Sequence, residues 1–320
     1  MLLRFAAGLG ALAAGLAGVT IAALRLEHTP GPVSAVPAPS QSAPAAPVTP
    51  KAPAGFPSPP AGAVVYSRED GSNVLALGVV ARTSRVLVQA SVVSPQGNGV
   101  RNLRVSFTLD GAQTAATACG AGCYRATLAS AGRPSAITIG VRGGTATARW
   151  RVALPTQWPA PDASALMARA GRTWRALRSL TYDEHLASGP TQEVTSTWRI
   201  AAPDRLAYSI LGGSKAVIIG DRRWDKAPGG HWIESPQLPL TQPLPFWASV
   251  TDAHVLGSGT LGGRPVWIVS FFDPRTPGWF EIELEKQTMR TLAMRMTATA
   301  HFMHDVYRSF DRPAGIRPPA

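Results

Sequence analysis

The chain has 320 residues, a formal net charge of +12 carried mostly by arginine, 16% charged and 45% hydrophobic residues. That apolar content excludes a wholly disordered chain, and the length leaves room for two domains with real cores. The arginines stand singly, as at Arg82, Arg85, Arg101, Arg104 and Arg149. No basic helix, zinc-finger or aromatic RNA-binding signature accompanies them, so nucleic acid is not an expected partner.

Residues 5–24 carry no charge. Twenty residues at about 1.5 Å each span about 30 Å, the thickness of a bilayer core. Arg4 and the amino terminus precede the run, which favours a cytoplasmic amino terminus. Segment 1–26 is therefore expected to be an N-terminal transmembrane helix, placing the protein at the cell membrane as a single-pass chain with extracytoplasmic domains. A cleaved secretory signal is the alternative. Ile21-Ala22-Ala23 is a poor cleavage site for it, and both readings export the rest of the chain. Residues 27–61 are almost wholly Pro, Ala, Ser, Val and Thr. Such a stretch buries too little apolar surface to offset its ordering entropy, and its prolines keep it extended, so a disordered stalk is expected.

From 62 to 154 short apolar runs recur between turn signals, at 74–80, 86–93, 103–109, 124–128, 137–141 and 146–152. Val105, Phe107 and Leu109 alternate with Arg104, Ser106 and Thr108, the pattern of one buried and one solvated face. An immunoglobulin-like β-sandwich of about seven strands is expected. Both cysteines lie in Cys119-Gly120-Ala121-Gly122-Cys123-Tyr124. Outside the cytoplasm they are expected to form a disulfide closing a tight loop; a thiolate pair for Cu(I) is the alternative. The Gly122-x-Tyr124 step and the strand layout resemble the YtkA-like sandwiches appended to bacterial copper-handling membrane proteins.

The second domain is expected over 162–312, with a tail at 313–320. Asp162 is a candidate N-cap. Leu166, Ala170, Trp174, Leu177 and Leu180 form a helical stripe, with Arg169, Arg172 and Arg175 off it. Eleven strand-like runs come next, at 181–187, 193–200, 205–211, 216–219, 223–226, 231–234, 253–256, 265–272, 279–285, 290–299 and 301–310. One helix followed by a long antiparallel meander predicts a curved sheet around helical elements, an α+β arrangement in a mainly β chain.

Three passages carry a resemblance. Ala202-Pro203-Asp204-Arg205-Leu206 with Gly220-Asp221-Arg222-Arg223-Trp224, then Trp279 to Thr288, then Tyr307-x-x-Phe310-Asp311-x-Pro313 resemble the motif order of the LolA/LppX/RseB superfamily. Arg222 stands at that pattern's Gly and Glu285 at its Asp. The resemblance implies a LolA-like half-barrel with an apolar cavity for a lipid, an acyl chain or a partner segment, walled by Trp174, Trp198, Trp224, Trp267, Phe271 and Trp279. The same tryptophans could simply fill a core. Between 266 and 272 both alternating faces are apolar, so that strand is covered on both sides or lines a cavity.

Met294, Met296, His301, Met303 and His304 would meet across a hairpin turning near Thr299. Thioether and imidazole suit copper; core methionines and surface histidines are the plainer reading. Together with Cys-Gly-x-Gly-Cys-Tyr, the run Met294 to His304 resembles the extracytoplasmic tail of actinobacterial CopD-type copper-transport proteins. That resemblance implies a copper-binding accessory, working beside a membrane-protein partner. Glu281, Glu283 and Glu285 alternate as a solvated face would, and no hydrolase elbow, zincin helix, phosphate loop or dinucleotide fingerprint is present. The expected function is that of a tethered, non-enzymatic binding protein without cofactor. Copper binding and a purely structural spacer are the alternatives.

Overall fold

The computed structural model describes residues 58–320, apart from 71–72, 95–97, 133, 144–145, 188–192, 244–249, 275–277 and 299–300. The expected membrane helix and all but the last residues of the stalk lie outside the described residues. Among the described residues no helix is long and apolar enough to cross a membrane.

Among the described residues, 64–153 form nine strands, against the seven or so expected: β1 (Val64–Asp70), β2 (Asn73–Arg82), β3 (Arg85–Val93), β4 (Arg104–Leu109), β5 (Ala112–Ala115), β6 (Thr117–Gly120), β7 (Cys123–Ala129), β8 (Ala136–Gly143) and β9 (Ala146–Ala153). They form two antiparallel sheets, ordered β1-β2-β3-β7-β6 and β5-β4-β8-β9. One core joins residues of both sheets, including Leu77, Val88, Phe107, Leu128 and Ile139. The alternation of β4 is as expected, with Val105, Phe107 and Leu109 buried and Arg104 exposed. β2 is buried on both faces over its first seven residues. Leu75, Leu77 and Val79 enter the sandwich core, while Val74 and Ala76 join a second cluster with Phe272, Trp279 and Phe302 of the next domain. That double cover is why the strand reads as a continuous apolar run.

Cys119 of β6 and Cys123 of β7 form the expected disulfide, with Cα atoms 5.0 Å apart. Gly122 takes φ +67, and a Cβ there would stand 2.6 Å from Gly99 Cα and against the Val92 carbonyl oxygen, so only glycine fits. The Tyr124 hydroxyl donates to the Val100 carbonyl at 2.8 Å and accepts from the Leu103 amide at 3.1 Å. Gly122 and Tyr124 thereby pin the connection that leads into β4.

The helix α1 (Ser164–Ala176) follows the two small sheets. Asp162 lies one residue ahead of the N-cap, Ala163, and its carboxylate accepts from the Ser164 amide at 3.0 Å and the Ser164 hydroxyl at 2.7 Å. The helix buries Met167, Ala170, Gly171 and Trp174. Leu166 is half-buried, Leu177 is the C-cap, and Leu180 belongs to the following strand. The predicted stripe is thus rotated toward Met167 and ends a turn early.

Among the described residues eleven strands then succeed it, ten of them within two residues of expectation and β16 extending well beyond the expected 253–256: β10 (Ser179–Ala187), β11 (Glu193–Ala201), β12 (Arg205–Ile210), β13 (Lys215–Ile219), β14 (Arg222–Lys226), β15 (Trp232–Pro236), β16 (Thr251–Leu261), β17 (Arg264–Asp273), β18 (Gly278–Glu285), β19 (Thr291–Ala298) and β20 (His301–Arg308). The sheet order is β15-β14-β13-β12-β11-β10-β20-β19-β18-β17-β16, all antiparallel. The last strand returns beside the first, so the edges β15 and β16 are consecutive in sequence. Gly220 takes φ +59 in the two-residue loop between β13 and β14, supplying the left-handed residue that such a hairpin needs. It precedes Asp221, whereas the superfamily's glycine comes after its aspartate.

Eleven strands at about 4.8 Å spacing measure about 50 Å across, whereas thirteen helical residues measure about 20 Å. Yet Tyr208, Trp198, Tyr182, Tyr307, Met294 and Phe271, spread over seven adjacent strands and all on the helix side, are buried. One helix can cover that width only if the sheet curls around it. The outer face has its own cover. Strand β1 lies against it, with the Val65 amide donating to Ser270 Oγ (3.2 Å) and the Ser67 hydroxyl 2.6 Å from Thr297 Oγ1. Farther along, Arg199 and Arg205 donate to the carbonyls of Ala314 and Ile316, and Ile316 packs on Trp224.

Candidate functional site

Period-two alternation, carried across the sheet by the strand registers, sorts the predicted site residues onto two faces. On the helix side, the Trp174 indole stands edge-on to Tyr307, with centroids 5.4 Å apart. Tyr307 touches Tyr182 at 5.2 Å, Tyr182 stacks on Trp198 at 5.8 Å, and Trp198 leans on Tyr208 at 4.7 Å. Phe271 stacks on Phe280 at 4.9 Å on the same face. Trp267 alternates with Phe271 and is half-buried, with the Lys286 ammonium 3.9 Å above its ring.

Trp224 and Trp279 are not part of this wall. Trp224 stands opposite Val217 and clusters with Ala207 and Ile316 on the outer face. Trp279 stands opposite Phe272 and packs beneath the sandwich. The predicted set of six therefore divides four and two, because sequence alternation separates faces without saying which layer covers each.

The copper set divides likewise. Met294 and Met296 share the helix-side face with Met303, which stands opposite Met296, and all three are buried. His304 stands opposite Arg295 and His185, on the outer face. Its half-buried imidazole has its pKa lowered by burial and by the nearby Arg295 and His185. His301 stands opposite Ala298 in the register. The hairpin thus pairs the strands as expected, yet His304 and the three methionines point to opposite sides of the sheet. Among the described residues no group of three or more His, Cys, Asp or Glu side chains is placed to hold a metal ion.

Two carboxyls on the helix-side face escaped sequence reasoning. Glu184 and Asp305 stand opposite each other on β10 and β20, and both are buried. Glu184 accepts from the Ser196 hydroxyl at 3.0 Å and the Trp198 indole at 3.3 Å. Asp305 Oδ2 accepts from the Tyr307 hydroxyl at 2.6 Å, while Oδ1 has no partner among the described residues. Burial raises the pKa of each, and in Asp305 the facing Glu184 adds to the rise. The signal was present in sequence: Glu184 falls between Tyr182 and Leu186, and Asp305 between Met303 and Tyr307, at apolar positions of the alternation.

Two openings adjoin these faces. A groove of about 230 Å³ runs between α1 and the start of β16, lined by Ser164, Met167, Ala168, Gly171, Arg175 and Val250. A larger cleft of about 650 Å³ lies between the sandwich and the outer side of the large sheet. Its walls come from β1 and β9 of the sandwich and from Leu256, Ile268, Glu281 and Arg295 of the second domain.

The second domain's contribution to that cleft corrects one expectation. Glu281, Glu283 and Glu285 do not form a solvated face. Glu281 is half-buried under β1 and accepts from the Ser67 amide at 2.7 Å. Burial, helped by Glu283 and opposed by Ser67 and Arg295, pushes its pKa up to about 7. Glu283 is 3.7 Å from Arg295, and Glu285 is buried and accepts from the Thr288 hydroxyl.

No family model and no curated protein matches the sequence. Among solved structures, the lipoprotein LppX of Mycobacterium tuberculosis matches 48% of this chain and 97% of its own, at 9% identity and a TM-score of 0.38. LprF from Mycobacterium bovis matches over 50% and 99%, at 11% identity and 0.39. A LolA superfamily protein from Nitrosomonas europaea matches over 48% and 94%, at 7% identity and 0.24. At these values the likeness says nothing about ligand or partner.

Proposed function

We propose that the chain is an extracytoplasmic binding protein, tethered by its N-terminal segment, that holds an apolar ligand such as a lipid or acyl chain between α1 and the large sheet. The groove along α1 carries this reading. It is lined by Met167 and Gly171, which belong with Trp174 to the buried side of the helix. Ala168 and Arg175 form its solvent-exposed rim. An apolar ligand entering there removes apolar surface from water at about 25 cal/mol per Å². Specific sites of this kind combine an apolar lining with a few polar groups, a role open to Arg175 at the rim and the Glu184–Asp305 pair within.

Native mass spectrometry and solvent extraction of the full-length protein test the reading. A bound lipid or acyl species is expected on the wild type. Ala168→Trp, which fills the exposed rim without touching the buried stripe, is expected to lose that species while keeping the wild-type far-ultraviolet circular dichroism. Equal ligand content in the two proteins, or none in the wild type, would overturn it.

A further inference from the structure

The cleft between the domains has a composition that the apolar-ligand reading does not use. Its apolar surface comes from both sides: Trp150 and Leu154 from the sandwich, Leu256, Ile268 and Phe302 from the large sheet. Leu256 and Ile268 are only half-buried, Leu256 packing partly against the core of the sandwich.

The charges around it are unequal in their freedom. Arg295 is 3.7 Å from Glu283, and Glu69 is 3.8 Å from His185. Glu281 is held by the Ser67 amide and keeps its proton up to about pH 7. Arg68 and Arg151 are exposed and have no acidic partner among the described residues. The Arg68 guanidinium lies 5.8 Å from the Trp150 ring centroid, at the border between the charged rim and the apolar wall. The lining of the cleft therefore includes two exposed arginines, Arg68 and Arg151, beside the apolar side chains. Its volume of about 650 Å³ falls in the range of about 300–1,000 Å³ that small-molecule sites occupy.

We propose that this cleft is a second binding site, for an anionic amphiphile: a carboxylate or phosphate head seated on Arg68 and Arg151, with its chain or ring against Trp150, Leu154, Leu256 and Ile268. Guanidinium forks match both carboxylate and phosphate geometry. The site lies on the opposite face of the sheet from the groove along α1, so each can be occupied or empty without the other.

Photocrosslinking distinguishes them. The full-length protein is irradiated with dodecanoate carrying a terminal diazirine, with the matching dodecyl phosphate, and with the matching neutral alcohol, and adducts are mapped by peptide mass spectrometry. Both anionic probes are expected to label peptides containing Trp150–Leu154 or Leu256–Ile268, with the alcohol labelling them at least about tenfold less. Labelling by only one anion assigns the head group within the proposal. The Arg68→Ala, Arg151→Ala double variant is expected to reduce cleft adducts by about tenfold or more while leaving adducts near Met167 and Trp174 unchanged. Should the double variant unfold, Leu256→Trp, which fills the trough from the apolar side, gives the same comparison. Equal cleft labelling by acid and alcohol, or adducts confined to the groove along α1, would overturn the second site and leave the first standing. Adducts confined to the cleft would do the reverse.

Discussion

Replacing Glu281 by glutamine isolates one carboxyl at the contact between the two domains. Its pKa stands at about 7 against an ordinary value of 4.5, with burial as the main cause. Facing it are Tyr66 and Ser67 of β1, Arg295 of β19 and its strand neighbour Glu283, with Arg68, Glu69 and Arg151 around the same cleft. Because the folded state raises the pKa, the protonated carboxyl contributes stability that is fully present below about pH 4.5. That stability is lost as the pH rises through about 7. Each tenfold change in proton affinity is worth about 1.4 kcal/mol, so the rise corresponds to about 3.5 kcal/mol, an upper bound that partial exposure of the group lowers. Glutamine keeps a carbonyl oxygen for the Ser67 amide and cannot ionise. Urea denaturation at pH 5 and pH 8 should therefore show Glu281→Gln close to wild type at pH 5 and up to about 3 kcal/mol more stable at pH 8. Other groups with raised pKa act in the same direction, so the informative quantity is the difference between the two proteins. If that difference is the same at both pH values, the reasoning about Glu281 fails.

Asp305→Asn tests the buried pair in the same sense: its raised pKa makes wild-type stability fall with rising pH, and the variant's denaturation curve should depend less on pH while Tyr307 keeps its acceptor. Gly122→Ala puts a methyl group against the Val92 carbonyl oxygen at a left-handed φ; a loss of about 1–3 kcal/mol in thermal or urea unfolding is expected, and a neutral result would mean that the loop moves freely.

The eleven-strand meander was legible in the sequence because the strands from Ser179 to Arg308 carry hydrophobic patterning bounded by turns. Period-two patterns survive whatever tertiary structure surrounds them. The disulfide was legible too, since Cys119 and Cys123 are too close in sequence to need any distant constraint. β1 was missed: its apolar run at 63–66 is short, and its hydrogen bonds go partly to Ser270 and Glu281, some two hundred residues away.

The sequence by itself determined which residues share a strand face: Trp198 with Ile200, Trp279 with Glu281, Met294 with Met296. Only the tertiary structure decided what covers each face. It placed Trp198 against Tyr182 and Tyr208, Trp224 beneath Ile316, and Trp279 beneath the sandwich. It also separated His304 from the methionines and turned Glu281 from an expected solvated position into an interdomain one. The reason is physical. Alternation records how the chain contrasts its two faces locally, whereas burial depends on surfaces brought in from far along the chain, and those leave no periodic mark on the strand that they cover.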